Sequence, residues 1–362
     1  MFFPIAKINI NNFRHNIRYL NSLLGNSHLL PVIKANAYGH GYSEIAKVLS
    51  EESIKTVCVA TYDEILEVLN CSYDLDVLHL GRLYLTNTIV NNNVIFTINT
   101  VNDVENINMF CSKLNKKIRC YIKVDTGMNR MGCRIDDFDK IFNLIADSKH
   151  IALEGVYSHL ACSEDKKSMS NKKQISTFDK IVKKTKHCKL KFHLLNSGGV
   201  FNYSEYLYDY GRIGLSSYGI SPTGIINENL KPVMKLSAPV ILVKNVYKNE
   251  SIGYGCTYRA KQSMRIALVQ CGYADGIPLN FGNKGLVYFK NHELPIVGKI
   301  SMDIMCIDIS NIDKSLYVDE IDIWGGEHVN SRLEVIANKF NSIPYVFLTS
   351  LSKRVKRVYF ED

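Results

Sequence analysis

The 362-residue chain is 46% hydrophobic and 22% charged with a formal net charge of +9, the proportions of an ordinary globular protein. No uninterrupted apolar stretch approaches the roughly 18 residues a membrane helix needs, so no membrane partner is expected. Lysine and arginine read as spread along the chain, with no basic block interleaved with stacking aromatics, so no nucleic-acid partner is expected either. The length exceeds one ordinary domain and predicts two domains, or one large barrel with an appendage. The start, Met1-Phe2-Phe3-Pro4-Ile5-Ala6-Lys7, has no basic run leading into a long apolar segment and does not read as a signal peptide, which makes the cytoplasm the expected location. The ten cysteines are scattered without a C-x-x-C pair or metal-like spacing, which predicts reduced thiols and no metal.

Eight short apolar runs follow in chain order at residues 29–33, 56–60, 75–80, 94–98, 118–124, 151–157, 191–195 and 214–220. Helical apolar spacing separates several of them, as at Ile45, Ala46, Val48 and Leu49, at Ile65, Leu66, Val68 and Leu69, and at Phe138, Ile141, Phe142 and Ile145. Runs buried on both faces and joined by helices imply parallel pairing, and eight such units close an α/β (β/α)8 TIM-like barrel. Polar residues stand where the runs end: Lys34, Lys123, His159, Asn196 with Ser197, and Arg212 just before the last run. In a barrel these ends share the face that carries chemistry, although strand ends are also polar simply because loops are polar.

Beyond about residue 233 the texture changes to β-branched runs at 238–246, 264–271, 285–289, 294–297, 303–309 and 319–324, with one helix at 333–341 before a terminal strand. The expected organisation is a barrel over 9–233 and a second, mainly β domain over 234–362, joined by an amino-terminal strand at 1–8.

The segment Val32-Ile33-Lys34-Ala35-Asn36-Ala37-Tyr38-Gly39-His40-Gly41 puts a lysine at a strand end before two glycines and a helix. Lysines at strand ends commonly reach into water. One held at a barrel mouth can instead attack a carbonyl, because partial burial depresses its pKa and frees the amine lone pair.

This decapeptide resembles the pyridoxal-phosphate signature of the alanine racemases, and further matches keep the family's order along nearly the whole chain. They are Lys123-Val124-Asp125-Thr126-Gly127-Met128-Asn129-Arg130-Met131-Gly132, Tyr157-Ser158-His159, Asn196-Ser197 and Arg212-Ile213-Gly214-Leu215. The second domain adds Gly253-Tyr254-Gly255, Gly272-Tyr273-Ala274-Asp275-Gly276, Ser301-Met302-Asp303 and Ser352-Lys353-Arg354-Val355. The resemblance implies interconversion of L- and D-alanine, with D-alanine supplied for peptidoglycan, by a homodimer whose active sites lie at the interface. Lys34 would hold pyridoxal phosphate covalently, while Tyr38, Ser197, Tyr345 and backbone N–H groups near Gly214 and Leu215 would hold its phosphate. Arg212 would face the pyridine nitrogen; arginine keeps its proton, so the ring stays a weak electron sink. Arg130 and the backbone at Met302 would bind the substrate carboxylate, which a planar guanidinium matches in shape. Lys123 matches a lysine carbamylated in many members, though some members lack a lysine there and a plain amine stays open.

His159 and Asn196 belong to the implied cofactor shell, with His159 linking Arg212 to Tyr254. Inversion needs a proton acceptor on one face of Cα and a donor on the other, so Tyr254 of the second subunit would act opposite Lys34, and Tyr273 would narrow the entrance. Departures from the family pattern are Leu215 for isoleucine, Val346 for glutamate, Ser301 for cysteine and Lys356 for proline. The alternatives are a serine or broad-specificity racemase, a decarboxylase of the same cofactor fold, and a non-catalytic pyridoxal-phosphate-binding protein. The decarboxylases carry a different glycine segment, and the binding proteins stop at the barrel.

Overall fold

The computed structural model describes residues 3–90 and 93–361 and divides into two compact units. One unit comprises Asn16–Ala37 and Tyr42–Ser217; the other comprises Met1–His15, Tyr38–Gly41 and Tyr218–Asp362. Strand β1 (Ile5–Asn9) belongs to the second; Met1 and Phe2, at the start of the strand expected at 1–8, lie outside the described residues.

The first unit holds β2 (His28–Pro31), β3 (Thr56–Val59), β4 (Asp76–His79), β5 (Val94–Ile98), β6 (Ile118–Lys123), β7 (Ile151–Tyr157), β8 (Lys191–His193) and β9 (Tyr210–Ile213). They form one parallel sheet in the order β2-β9-β8-β7-β6-β5-β4-β3. The seam between β2 and β3 is drawn together by a bridge between Val32 and Cys58 and by the Ile33 N–H donating to the Cys58 carbonyl at 2.9 Å. The expected TIM-like (β/α)8 architecture is therefore present as a nearly closed barrel. Burial on both faces explains why its strands read as continuous apolar runs: all five residues of β5 are buried, as are Val57, Cys58 and Val59 of β3. Helices turn their apolar stripes inward, Ile45, Ala46, Val48 and Leu49 on Tyr42–Glu51 and Phe138, Ile141 and Ile145 on Phe138–Ala146. Thr61 with Glu64, and Thr100 with Asp103, close capping boxes that fix where two of these helices begin.

The eighth strand is not where the apolar pattern puts it. Residues 214–220 are buried but include the 3-10 turn Leu215–Tyr218, and the strand is Tyr210–Ile213, with Arg212 inside it rather than ahead of it. The spread of basic residues is also corrected. Residues 165–191 contain ten lysines and two aspartates, eight of the nine net positive charges. On helix Met169–Thr185, Lys172, Lys173, Lys180, Lys183 and Lys184 are exposed and fall within an arc of roughly 120° at 100° per residue.

The second unit is mainly β, as expected. It adds β10 (Met234–Val246), β11 (Ser251–Ile252), β12 (Tyr258–Arg259), β13 (Met264–Val269), β14 (Leu286–Phe289), β15 (His292–Pro295), β16 (Met305–Asp308), β17 (Glu320–Trp324) and β18 (Lys356–Phe360) to β1. The sheet runs β15-β14-β17-β10-β1-β18, and β13 pairs with β10 and β16. The 13-residue β10 serves three ladders, residues 234–237 pairing with β1, 236–239 with β17 and 240–246 with β13, and its register against β13 shifts between Val240 and Leu242. Trp324, Phe281 and Phe347 are fully buried beside one another, each such side chain contributing on the order of 1.5–3 kcal/mol. Helix Leu333–Lys339 follows the expected position, and Pro344–Ser350 adds a second helix opened by proline at its first turn.

Candidate active site

At the end of β2 the backbone does something no apolar pattern announces. Ala35, Asn36, Ala37 and Tyr38 have φ of 53°, 54°, 52° and 52°, a turn of left-handed helix starting after Lys34. Each such non-glycine residue costs roughly 1–2 kcal/mol. Part of the cost is offset where the Ala35 N–H donates to the Glu64 carboxylate at 2.7 Å, the Asn36 N–H to the Tyr42 hydroxyl at 3.0 Å and the Ala37 N–H to the Ile33 carbonyl at 2.8 Å. Glu64 was missed as a site residue, although Thr61-Tyr62-Asp63-Glu64 before an apolar run is a readable capping box.

The half-buried Lys34 amine is pushed below its ordinary pKa first by burial and then by the Arg130 and Arg212 charges, with Glu64 acting against them. Lys123, at the end of β6, is pushed down to about 8 by burial, then by Arg212 and Arg130. Its amine stands 5.6 Å from the centre of the Tyr157 ring, and the Arg212 guanidinium 5.2 Å from the same ring.

Arg130 is exposed on the loop between Val124 and Cys133, which pair as a bridge. Asp125 shapes that loop by accepting the N–H groups of Gly127, Met128 and Asn129 at 2.8, 3.0 and 3.1 Å. Gly132, at φ 119°, lets the return strand pass, since a Cβ there would sit 2.7 Å from the Asp125 nitrogen.

Arg212 is buried in β9. It donates to the Ser158 carbonyl at 2.8 Å, to His159 Nδ1 at 2.7 Å and to His193 Nδ1. Burial, then the Arg212 charge, holds both histidines well below the ordinary pKa, so each is neutral. Arginine only donates, so Nδ1 of each ring accepts and the proton sits on Nε2. His159 Nε2 lies 3.4 Å from Asn196 Nδ2, and the Asn196 oxygen already accepts from the Gly199 N–H, which leaves the His159 proton for another acceptor. The His193 ring stacks on Tyr157 at 4.7 Å; sequence reading missed this residue because nothing distinguishes it from other polar residues of a short strand. The Gly214 N–H meets Ser197 Oγ at 3.1 Å, and Leu215 follows, buried.

In the second unit, the Tyr38 and Tyr345 rings meet at 5.7 Å. Tyr254 stands 73% exposed between Gly253 and Gly255. Tyr273 and Met302 come together because the Tyr273 and Ala274 N–H groups donate to the Ser301 and Met302 carbonyls at 3.1 and 3.0 Å. Arg354 closes this cluster by pairing with Asp303 at 2.6 Å and Asp275 at 3.4 Å, so three of the sequence motifs share one place.

The barrel site gathers Lys34, Lys123, Arg130 and Arg212, all of which bear on His159, against Glu64 and Asp125. A surplus of positive charge, buried at Lys123 and Arg212, suits a ligand set carrying phosphate and carboxylate groups.

The chain matches the models of the alanine racemase N-terminal domain over residues 8–222 and C-terminal domain over 233–359. It is 31% identical to the alanine racemase of Vesicomyosocius okutanii over 97% of each chain, and 32% identical to alanine racemase 2 of Caldanaerobacter subterraneus over 98% of this chain and 94% of that relative. The crystal structure of alanine racemase from Bartonella henselae with covalently bound pyridoxal phosphate aligns with a TM-score of 0.90 and 32% identity, covering 99% of this chain and 100% of that one. The alanine racemase from Streptomyces lavendulae aligns at 0.92 with 26% identity, over 99% and 97%. Matches of this extent across both parts of the chain place it in the alanine racemase family.

Proposed function

We propose that this protein is an alanine racemase, a pyridoxal-phosphate-dependent isomerase interconverting L- and D-alanine, and that it works as a cytoplasmic homodimer supplying D-alanine for peptidoglycan. The observation that carries the reading is the pairing on one barrel of a lysine with a lowered pKa, Lys34, and an arginine, Arg212, held by two neutral histidines. The residues fit the cofactor: Lys34 offers an amine for covalent attachment, and the cationic hollow balances a phosphate. Ser197 with the Gly214 and Leu215 backbone in the barrel unit, and Tyr38 with Tyr345 in the other, are its proposed phosphate ligands. Asn196 and His159 complete the shell around Arg212. Domain limits of 9–233 and 234–362, with the strand at 1–8, are part of the same reading.

Bound pyridoxal phosphate would supply an electron sink that loosens the substrate's Cα proton. The chain's task is to hold the amino acid and place two bases. Arg130, with no hydrogen bond or ion pair anchoring its guanidinium among the described residues, receives the carboxylate together with the Met302 backbone. Lys34 exchanges the proton on the face used by D-alanine. Tyr254 of the partner subunit exchanges it on the opposite face, where the His159 Nε2–H orients its oxygen, and Tyr273 narrows the entrance. The consecutive exposed residues Ile241, Leu242 and Val243 in β10, together with exposed Tyr254, support a face covered by a second copy. Lys123 bears a carbamate in this reading, which turns one of four neighbouring cations into an anion beside Arg130.

The test is the circular dichroism of an L-alanine solution followed over time with the holoenzyme. Decay of the signal to zero with no loss of amino acid supports a racemase. Decay with release of carbon dioxide means a decarboxylase, and a constant signal means a binding protein.

A further inference from the structure

We infer that Gln174, on helix Met169–Thr185, is a positioning residue that locks the Arg130 loop to the His159 segment and so sets substrate affinity; this rests on the racemase reading for what Arg130 binds. Gln174 is 1% exposed, and its amide is divided between segments. Its oxygen accepts the Ala161 N–H at 2.9 Å. Its nitrogen donates to the His159 carbonyl at 2.9 Å and, less closely, to Thr126 Oγ1 at 3.4 Å. Thr126 Oγ1 in turn lies 2.8 Å from Ser158 Oγ. A Cβ built on Gly127 would come 3.3 Å from Gln174 Cγ, so the loop that carries Arg130 also packs on this side chain.

The three tied segments have different chemistry. Residues 158 and 159 are the partners of Arg212, Thr126 opens the loop leading to Arg130, and the helix supplies the amide that joins them. One planar amide with fixed donor and acceptor directions therefore holds the spacing between the two site arginines' supports. Asn171, one turn earlier, offers a contrast. It bonds Cys162, Asp165 and the Tyr203 hydroxyl, clamping the turn after β7 and Tyr203, and makes no bond to the Arg130 loop.

A loose Arg130 loop weakens carboxylate binding equally before and during reaction, so KM rises while kcat stays. Gln174→Leu should raise KM for L-alanine about tenfold with kcat within about threefold, and amides 127–133 should exchange hydrogen about tenfold faster. Thr126→Val, which keeps the side-chain volume and removes the hydroxyl that meets both Gln174 and Ser158, should move both in the same direction. It also serves as the test should Gln174→Leu fail to fold. Asn171→Leu should lower thermal stability without moving KM or the exchange of 127–133. Unchanged exchange in the Gln174 and Thr126 variants overturns the inference, as does an equal KM rise in Asn171→Leu. Faster exchange with unchanged KM refutes the role in substrate binding. Faster exchange in a protein that does not racemise alanine keeps the lock and discards the racemase reading.

Discussion

Lowering the pH from about 7.5 to 5.5 should destabilise the barrel through the two histidines that accept from Arg212. Both are held well below the ordinary pKa by burial and by the guanidinium, so they stay neutral in the fold while their unfolded counterparts take up protons. The unfolded chain then binds more protons, and stability rises with pH. The contribution is complete above the unfolded value of about 6.5 and is lost as pH falls below it toward the depressed folded values. Each histidine costs about 1.4 kcal/mol per pH unit below 6.5, so the pair costs on the order of 2.7 kcal/mol at pH 5.5. His193→Gln keeps an acceptor for Arg212 but removes one titrating group, and should reduce the pH-dependent loss by about 1.4 kcal/mol. Urea unfolding at both pH values, followed by far-ultraviolet circular dichroism for both proteins, measures the difference. Equal losses in the two proteins would falsify the neutral His193 and with it the account of how Arg212 is held.

Lys34→Ala should abolish cofactor attachment, and borohydride trapping in the unaltered protein should map the cofactor to Lys34; a different lysine ends that assignment. Tyr254→Phe should retain the cofactor while racemisation falls by roughly two to four orders of magnitude. In deuterated water it should still exchange the α-proton of D-alanine much faster than that of L-alanine; near-normal racemisation would point to a single mobile base. Carbon-13 bicarbonate labelling should reveal a carbamate on Lys123, and an unmodified amine there would require another partner for Arg130. Ala35→Gly should raise stability by about 0.5–1 kcal/mol, because relief of left-handed strain exceeds the added freedom of the unfolded chain. A fall in melting temperature would show that the methyl group is needed.

The barrel was legible because its strands are buried on both faces and leave uninterrupted apolar runs, as in β5. The same rule misplaced the eighth strand. Tyr210–Ile213 is four residues long with a charged side chain in its middle, and Arg212 tolerates burial because Ser158, His159 and His193 meet it from two other places in the chain. Hydropathy counts residues one at a time and cannot register partners 19 and 53 positions away. The motif residues Lys34, Arg130, His159 and Arg212 were nameable from the family resemblance, and the fold brings their charges to bear on one another. His193 and Gln174 were not nameable, since each owes its place to contacts rather than to a spacing. The left-handed turn after Lys34 lay hidden for a related reason: alanine favours the right-handed helix, and only the surrounding hydrogen bonds override that preference.

The lysine face of helix Met169–Thr185 gives the molecule an electrical polarity that its net charge understates. With eight of nine net charges between residues 165 and 191, everything else sums to a single positive charge. A cation-exchange resin or heparin column should therefore bind the protein chiefly through this segment, with steep dependence on salt. Retention on such media reports the geometry of a helix and is no evidence of a biological polyanion. Copies meeting through their other sides encounter almost no net repulsion, so protein solubility rests on a repulsive field that covers only part of the surface.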